Sequence, residues 1–360
     1  MSVLVRKEEA AEPPVEEEAP APKSDAAKRL AEEPEVLAFP PPAKAIVLES
    51  AQGPTRSQAA GADQALGKAV ESIEAILWAI RTQTPFTLSH VEEAVDALRQ
   101  NLQATDALLV PFFGGGRYPA SPGHEAANVC ILALKIGMEL GFSAVALGQL
   151  ALAALLQDIG MARLPEEFLG RSGPLSAAER AALRQSPEEG ARLLRASGLQ
   201  YHWLAEGLLQ VHERRDGSGY PRGLQGEGIL EFAQIVGLAD VYESLVHHRP
   251  FRRCLGPVQA LKEILHRERA AFPDRILKAL IRGLTTFPVG SLVRLNTGEI
   301  GRVVAKHPDF PLRPLVEVLL RQGKPMDDPL LIDLSKNPLL HVQESVVEDV
   351  LEQEASRERA

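Results

Sequence analysis

Three short segments hold the side chains able to do chemistry. In the first, the apolar run Leu155-Leu156 ends in Gln157-Asp158-Ile159-Gly160. In the second, Val211-His212-Glu213-Arg214 runs into the glycine-rich loop Asp216-Gly217-Ser218-Gly219-Tyr220-Pro221. In the third, Asp240 interrupts an apolar helical run over 235–245. A carboxylate on such a face costs on the order of several kcal/mol if it stays charged and unpaired. Asp240 therefore needs a metal, an arginine or a helix N-terminus. His212 with Asp158 and Asp240 has the donor types of a His/Asp metal site. Nine histidines and 48 carboxylates are present, so the question is where they sit.

The elements that must position these residues follow from hydrophobic spacing. The chain has 360 residues, room for one large or two ordinary domains. Ala65, Ala69, Ile73, Ile76, Leu77 and Ile80 recur at helical spacing. Thr87-Leu88-Ser89-His90 reads as a second helix start with Ser89 as N-cap, and Val91, Ala94, Val95, Leu98 and Leu102 continue its apolar face. Helical periods fill 124–284 with almost no strand signal. After Phe287-Pro288 the pattern changes. The runs 291–295 and 300–304 flank Asn296-Thr297-Gly298-Glu299, which predicts a hairpin, and 315–320 reads as a third strand. Positions 1–61 hold nine of the 27 prolines among Glu- and Ala-rich runs, the composition of a disordered tail. The expected fold is mainly α, a helical bundle with a small C-terminal antiparallel β appendix. Its expected divisions are a tail over 1–61, an N-terminal helical segment over 62–117, the main helical domain over 118–285, a β-rich extension over 286–343 and a fraying charged tail over 344–360.

The stretch 118–320 resembles the HD-GYP domain. The resemblance is carried by His212-Glu213-Arg214, Asp216-Gly217-Ser218-Gly219-Tyr220-Pro221, Ala239-Asp240-Val241-Tyr242, Arg249-Pro250-Phe251-Arg252 and the turn 287–291, in order and spacing. It covers more than half of the chain. It implies an HD phosphohydrolase bundle with two or three metal ions, often iron or manganese, acting on cyclic di-GMP. A metal-bound hydroxide would attack phosphorus there. It also implies that Tyr220, Pro221, Arg249 and Arg252 face the ligand, and that the Tyr220-Pro221 loop serves to dock a GGDEF-type cyclase.

Carried over position by position, the family's ligand set is depleted. The family's first histidine falls on Glu125, with His124 one residue early. A one-residue shift turns a side chain by about 100° on a helix. The His-Asp pair is Gln157-Asp158. The lysine after Asp-Ile-Gly is Met161, the histidine before Pro187 is Ser186, and the paired histidines are Val211-His212. Asp158, His212 and Asp240 remain as metal ligands, with Glu125 or His124 as a fourth candidate. Three ligands hold one divalent metal weakly at best, and no metal at all is the other reading. In that case His212 pairs with Asp158 or Asp240 as a buried polar network. His247-His248 lie seven and eight residues beyond Asp240, on the same side only if the helix runs on.

Three functions stay open. The favoured one is an HD-GYP-type cyclic di-GMP signalling protein that has lost hydrolysis and acts by binding a nucleotide or a protein. The second is an active metal-dependent phosphodiesterase with an atypical site. The third is a structural adaptor that docks a diguanylate cyclase. The formal charge of −9 argues against a DNA or RNA coat. No uninterrupted run of 18 apolar residues calls for a membrane partner. Two cysteines, Cys130 and Cys254, fit a reducing cytoplasm.

Overall fold

The computed structural model describes residues 54–113, 121–165, 176–247, 254–284, 287–307, 310 and 312–357. Of the tail expected over 1–61, residues 1–53 lie outside the described residues. Its boundary at 61 is corrected. Helix α1 (Arg56–Thr82) begins earlier because Thr55 caps it, with a reciprocal bond between Thr55 and Gln58 closing the first turn. Its buried stripe runs from Ala62 through Ile73 and Ile76 to Ile80.

Helix α2 (Ser89–Ala104) also starts one residue sooner than its sequence signal. Leu88, not Ser89, is the N-cap. Leu88 is buried in the core and its carbonyl accepts the Glu92 amide, while the Ser89 hydroxyl sits 3.1 Å from that of Thr87. Core anchoring thus outweighs the side-chain cap. Helices α3 (Leu109–Phe113), α4 (Pro122–Glu139) and α5 (Ala144–Leu156) follow, then a 3-10 turn over Ile159–Arg163. Helices α6 (Ala177–Ser197), α7 (His202–Leu208), α8 (Glu231–Val246), α9 (Pro257–Arg267) and α10 (Asp274–Gly283) complete the bundle. One continuous apolar core runs from Ala62 to Leu284, so α1 and α2 share it with the later helices.

Helix α5 is apolar on all sides over Leu150–Leu156, where every residue is buried. With the following turn it makes the one stretch among the described residues, 144–163, long and apolar enough to cross a membrane by composition. Most of it is buried within the bundle. That burial carries Gln157, at the end of α5, into the interior and leaves Asp158 half-buried beside it.

The appendix is larger than its sequence signal. Strands β1 (Leu292–Leu295), β2 (Ile300–Ala305), β3 (Leu315–Arg321), β4 (Lys324–Asp333) and β5 (Val342–Val346) form an antiparallel sheet in the order β4-β3-β2-β1-β5. The hairpin over 291–304 is present, with Gly298 at φ +94° in its turn. The charged tail does not fray where it is described. β5 pairs with β1, and helix α11 (Glu348–Arg357) lies on the sheet through Val350 and Leu351. Arg294 holds Glu344 at 3.0 Å and Glu354 at 2.8 Å, so the charges read as solvated are anchored.

Sheet and bundle meet at one ionic junction. Asp106, just before α3, accepts from Lys135 of α4 at 2.9 Å and from Lys306 beyond β2 at 2.6 Å. Burial acts to raise the Asp106 pKa, yet the two ammonium groups outweigh it and hold the carboxyl below its ordinary value. A depressed carboxylate pKa stabilises the fold above the unfolded value and loses that contribution as pH falls. Asp106→Asn should therefore destabilise the protein by about 1–3 kcal/mol at pH 7, with the deficit shrinking below about pH 4. Urea denaturation at the two pH values measures it. Equal midpoints at pH 7 would show the junction to be held by apolar contact alone.

Candidate functional site

Two close backbone approaches bring the three chemical segments together. A Cβ on Gly160 would lie 1.9 Å from the Ser186 carbonyl, so only glycine lets the 159–163 turn rest on α6. A Cβ on Gly237 would lie 2.3 Å from the Val211 carbonyl, which lets α8 press against the segment bearing His212. Asp240 is one turn further along α8.

The side chains then pair with one another. The His212 Nε2 is 3.6 Å from Asp158 Oδ1. The Gln157 amide nitrogen donates to Asp240 Oδ1 at 3.4 Å, while its own carbonyl oxygen is buried without a partner. Burial pushes the Asp240 pKa up to about 6, and the Asp158 carboxylate adds to this. His212 opposes the shift, and Glu243 reinforces it. The cluster is thus short of positive charge.

The loop after His212 is braced from inside. Glu213 is buried, and its two carboxylate oxygens accept the backbone amides of Arg222 at 2.7 Å and Leu224 at 2.9 Å. Asp216 accepts from the Ser218 hydroxyl and amide, which lowers its pKa. The Arg214 guanidinium donates to the carbonyls of Val211 and Glu213 and lies over the Phe272 ring. So held, the loop lays the Tyr220 ring on His212, with centroids 4.8 Å apart and planes 16° from parallel. Burial and the carboxylates of Asp158 and Asp240 raise the Tyr220 pKa, so the phenol stays neutral. The Tyr220–Pro221 peptide is cis.

Asp158, His212, Asp240 and Tyr220 are therefore neighbours, as the sequence reading requires. His124 sits in the first turn of α4, its Nδ1 3.0 Å from the hydroxyl of Ser121, the residue that caps that helix. Burial lowers its pKa. Glu125 is half-buried in the same turn. Arg249, Arg252 and His248 lie outside the described residues.

The helix does not run on to His247. α8 stops at Val246, and His247 adopts an extended conformation at its end. Its Nδ1 approaches Glu243 at 3.2 Å and its Nε2 approaches the Phe112 carbonyl at 2.8 Å. Burial works against protonation of His247, but bonding to Glu243 outweighs it and raises the pKa. Asn128 of α4 reaches the same Glu243 oxygen at 3.4 Å. This second network escaped the sequence reading. The i, i+4 spacing of Glu243 and His247 was the available signal, and Phe112 had none.

The donors do not fit a multinuclear metal centre. Val211 offers no donor, the Ser186 hydroxyl donates to Leu183, and the Gln157 amide is spent on Asp240. Among the described residues no three His, Cys, Asp or Glu side chains converge as a metal-holding set.

Comparison with known proteins gives a consistent picture. A family model described as "HD domain" matches residues 117–275, and one described as "KOW domain associated with HD domain" matches 292–354. A cyclic di-GMP phosphodiesterase of Pseudomonas aeruginosa is 31% identical over 195 residues, covering 54% of this chain and 47% of that protein. The cyclic di-GMP phosphodiesterase response regulator RpfG of Xanthomonas campestris is 35% identical over 151 residues, covering 41% of this chain and 39% of its own. The chain thus spans about half or less of these relatives. A solved HDG"Y"P protein from Bdellovibrio bacteriovorus superposes with a TM-score of 0.52 at 18% identity, over 62% of this chain and 72% of that one, and shares the fold.

The charge deficit at Asp240 has a measurable consequence. A raised carboxylate pKa means the fold penalises the ionised form. The penalty is absent below about pH 4, grows towards the folded value near 6 and is full above it. Asp240 is only partly buried, so the penalty is on the order of 1–3 kcal/mol. In chelator, Asp240→Asn should raise the melting temperature at pH 8 and leave it unchanged near pH 4. A lower melting temperature at pH 8 would mean that the carboxylate charge is compensated.

Proposed function

We propose, for a chain that belongs to the HD-GYP family of HD domains, that it is a cyclic di-GMP signalling protein without effective phosphodiester hydrolysis. It acts by binding the nucleotide, or a close cyclic dinucleotide, or a protein. The observation that carries this reading is the Gln157–Asp240 hydrogen bond. At the position where the family's His-Asp pair supplies an imidazole to a metal, a neutral amide donates to the carboxylate instead. Gln157 is a weak ligand, and Ser186 and Val211 add no metal donor. Without a metal-bound hydroxide the family reaction loses its nucleophile and the charge that steadies the transition state.

What survives supports recognition. The loop bearing Tyr220 and Pro221 is held by the buried Glu213 at a cost in desolvation that only a fixed loop conformation offsets. The same loop is the surface proposed for docking a GGDEF-type cyclase. Arg249 and Arg252 are proposed as phosphate contacts on the motif they share with the family. A cytoplasmic location accords with a chain of only two cysteines, Cys130 and Cys254, too few for a disulfide framework.

A second reading, an atypical mononuclear phosphodiesterase, rests on Asp158, His212 and Asp240 remaining neighbours. One experiment separates them. The purified chain is incubated with cyclic di-GMP and either ferrous iron or manganese, and binding is followed by calorimetry alongside product analysis. Saturable binding with no product above the protein-free control is expected. Sustained metal-dependent hydrolysis would overturn the proposal in favour of the second reading.

A further inference from the structure

An anionic dinucleotide approaching this site meets a charge problem. Asp158, Asp240 and Glu243 are acidic, and Met161 replaces the cation that the family places after its Asp-Ile-Gly. Each phosphodiester needs a positive partner to offset that repulsion. Most nearby arginines are already committed. Arg214 is bonded to two carbonyls and packed on Phe272. Arg222 forks onto Glu206 at 2.7 and 3.4 Å. Arg163 approaches Glu189 at 3.4 Å.

Arg184 differs from these. It projects from α6, two residues before Ser186, and is exposed. Its guanidinium carbon lies 5.2 Å from the centroid of the Tyr220 ring, and no carboxylate among the described residues pairs with it. Tyr220 in turn stacks on His212, which faces Asp158. A column of contacts therefore leads from solvent to the centre of the site: Arg184, Tyr220, His212.

We infer that Arg184 is a phosphate-binding residue of this site, steadied by the Tyr220 ring so that its outer edge receives a phosphodiester of the cyclic dinucleotide. The chemistry favours it. A guanidinium resting on an aromatic face gives up none of its N–H donors, and its planar fork matches two phosphate oxygens. Holding the side chain on the ring before the ligand arrives also lowers the entropy lost on binding. Arg184 supplies the positive charge absent at Met161, from a different element. The competing account is a solvated surface arginine that happens to cover Tyr220, and it gives Arg184 no effect on ligand affinity.

The inference rests on the reading that this site takes a cyclic dinucleotide, and the experiment keeps the two apart. Cyclic di-GMP is titrated into the full chain and into Arg184→Gln and Arg184→Lys at two salt concentrations, with melting temperatures as a fold control. Arg184 is exposed, so the melting temperatures should match. Arg184→Gln should weaken binding about ten- to a hundredfold, the loss expected for a charge-assisted hydrogen bond. Arg184→Lys should recover part of that loss as a point charge, and the Gln variant should show a shallower salt dependence. Wild-type binding with an unchanged affinity in Arg184→Gln overturns the role of Arg184 alone. No binding by the wild type overturns the reading that this site takes cyclic di-GMP and this inference with it.

Discussion

The arrangement turns on one carboxylate that the fold forces inward. Asp240 is carried on a helix whose neighbours are apolar, and Gly237 lets that helix press on the Val211 carbonyl. In a medium of low polarisability the charge must be matched or given up. The family's solution is metal. This chain places the Gln157 amide on Asp240, sets His212 against Asp158, and leaves the carboxylate with a strongly raised pKa. One amide and one imidazole soften the repulsion without cancelling it, which leaves a compact, acidic, partly satisfied cluster.

The surrounding structure is built to keep that pocket in shape whether or not chemistry occurs there. Glu213 fixes the Tyr220 loop through two backbone amides, and Gly160 seats the Asp158 turn on α6. On the far side of Asp240, the network of Glu243, His247 and Asn128 ties α8 to α4 and, through the Phe112 carbonyl, to α3. Just before α3, Asp106 binds Lys135 of the bundle and Lys306 of the sheet. Helix α3 thus links the two regions: its Phe112 carbonyl meets His247 on one side, and Asp106 just before it binds Lys306 on the other. Such a frame suits the proposed binding function, since recognition needs preorganised geometry and no nucleophile.

Much of this was legible in the sequence, and the failures have physical causes. The stripe from Ala65 to Ile80 and the 291–304 hairpin repeat with the period of their elements, so local pattern suffices. Strands β4 and β5 were missed because Pro325 and Pro329 interrupt one and the polar run Gln343-Glu344-Ser345 fills the other. β4 pairs with β3 across the tight turn at Gln322-Gly323, whereas the partner of β5 is the distant β1. The charges over 344–360 look like a loose tail in the sequence, although Arg294 binds Glu344 and Glu354 from 50 and 60 residues away. At the site, Asp158, His212, Asp240 and Tyr220 were recoverable from motif spacing. The Gln157–Asp240 bond spans 83 residues and the His247–Phe112 contact 135, and neither leaves a mark on local pattern. Helix continuation through His247 was the natural extrapolation from α8, and the backbone turned instead.

The central claim is that side chains here satisfy one another where the family holds metal. Its most direct test is elemental analysis of the protein produced with added iron and manganese and purified anaerobically without chelator. The account predicts well under one equivalent of metal per chain after gel filtration. Two equivalents of iron or manganese retained through that step would contradict it.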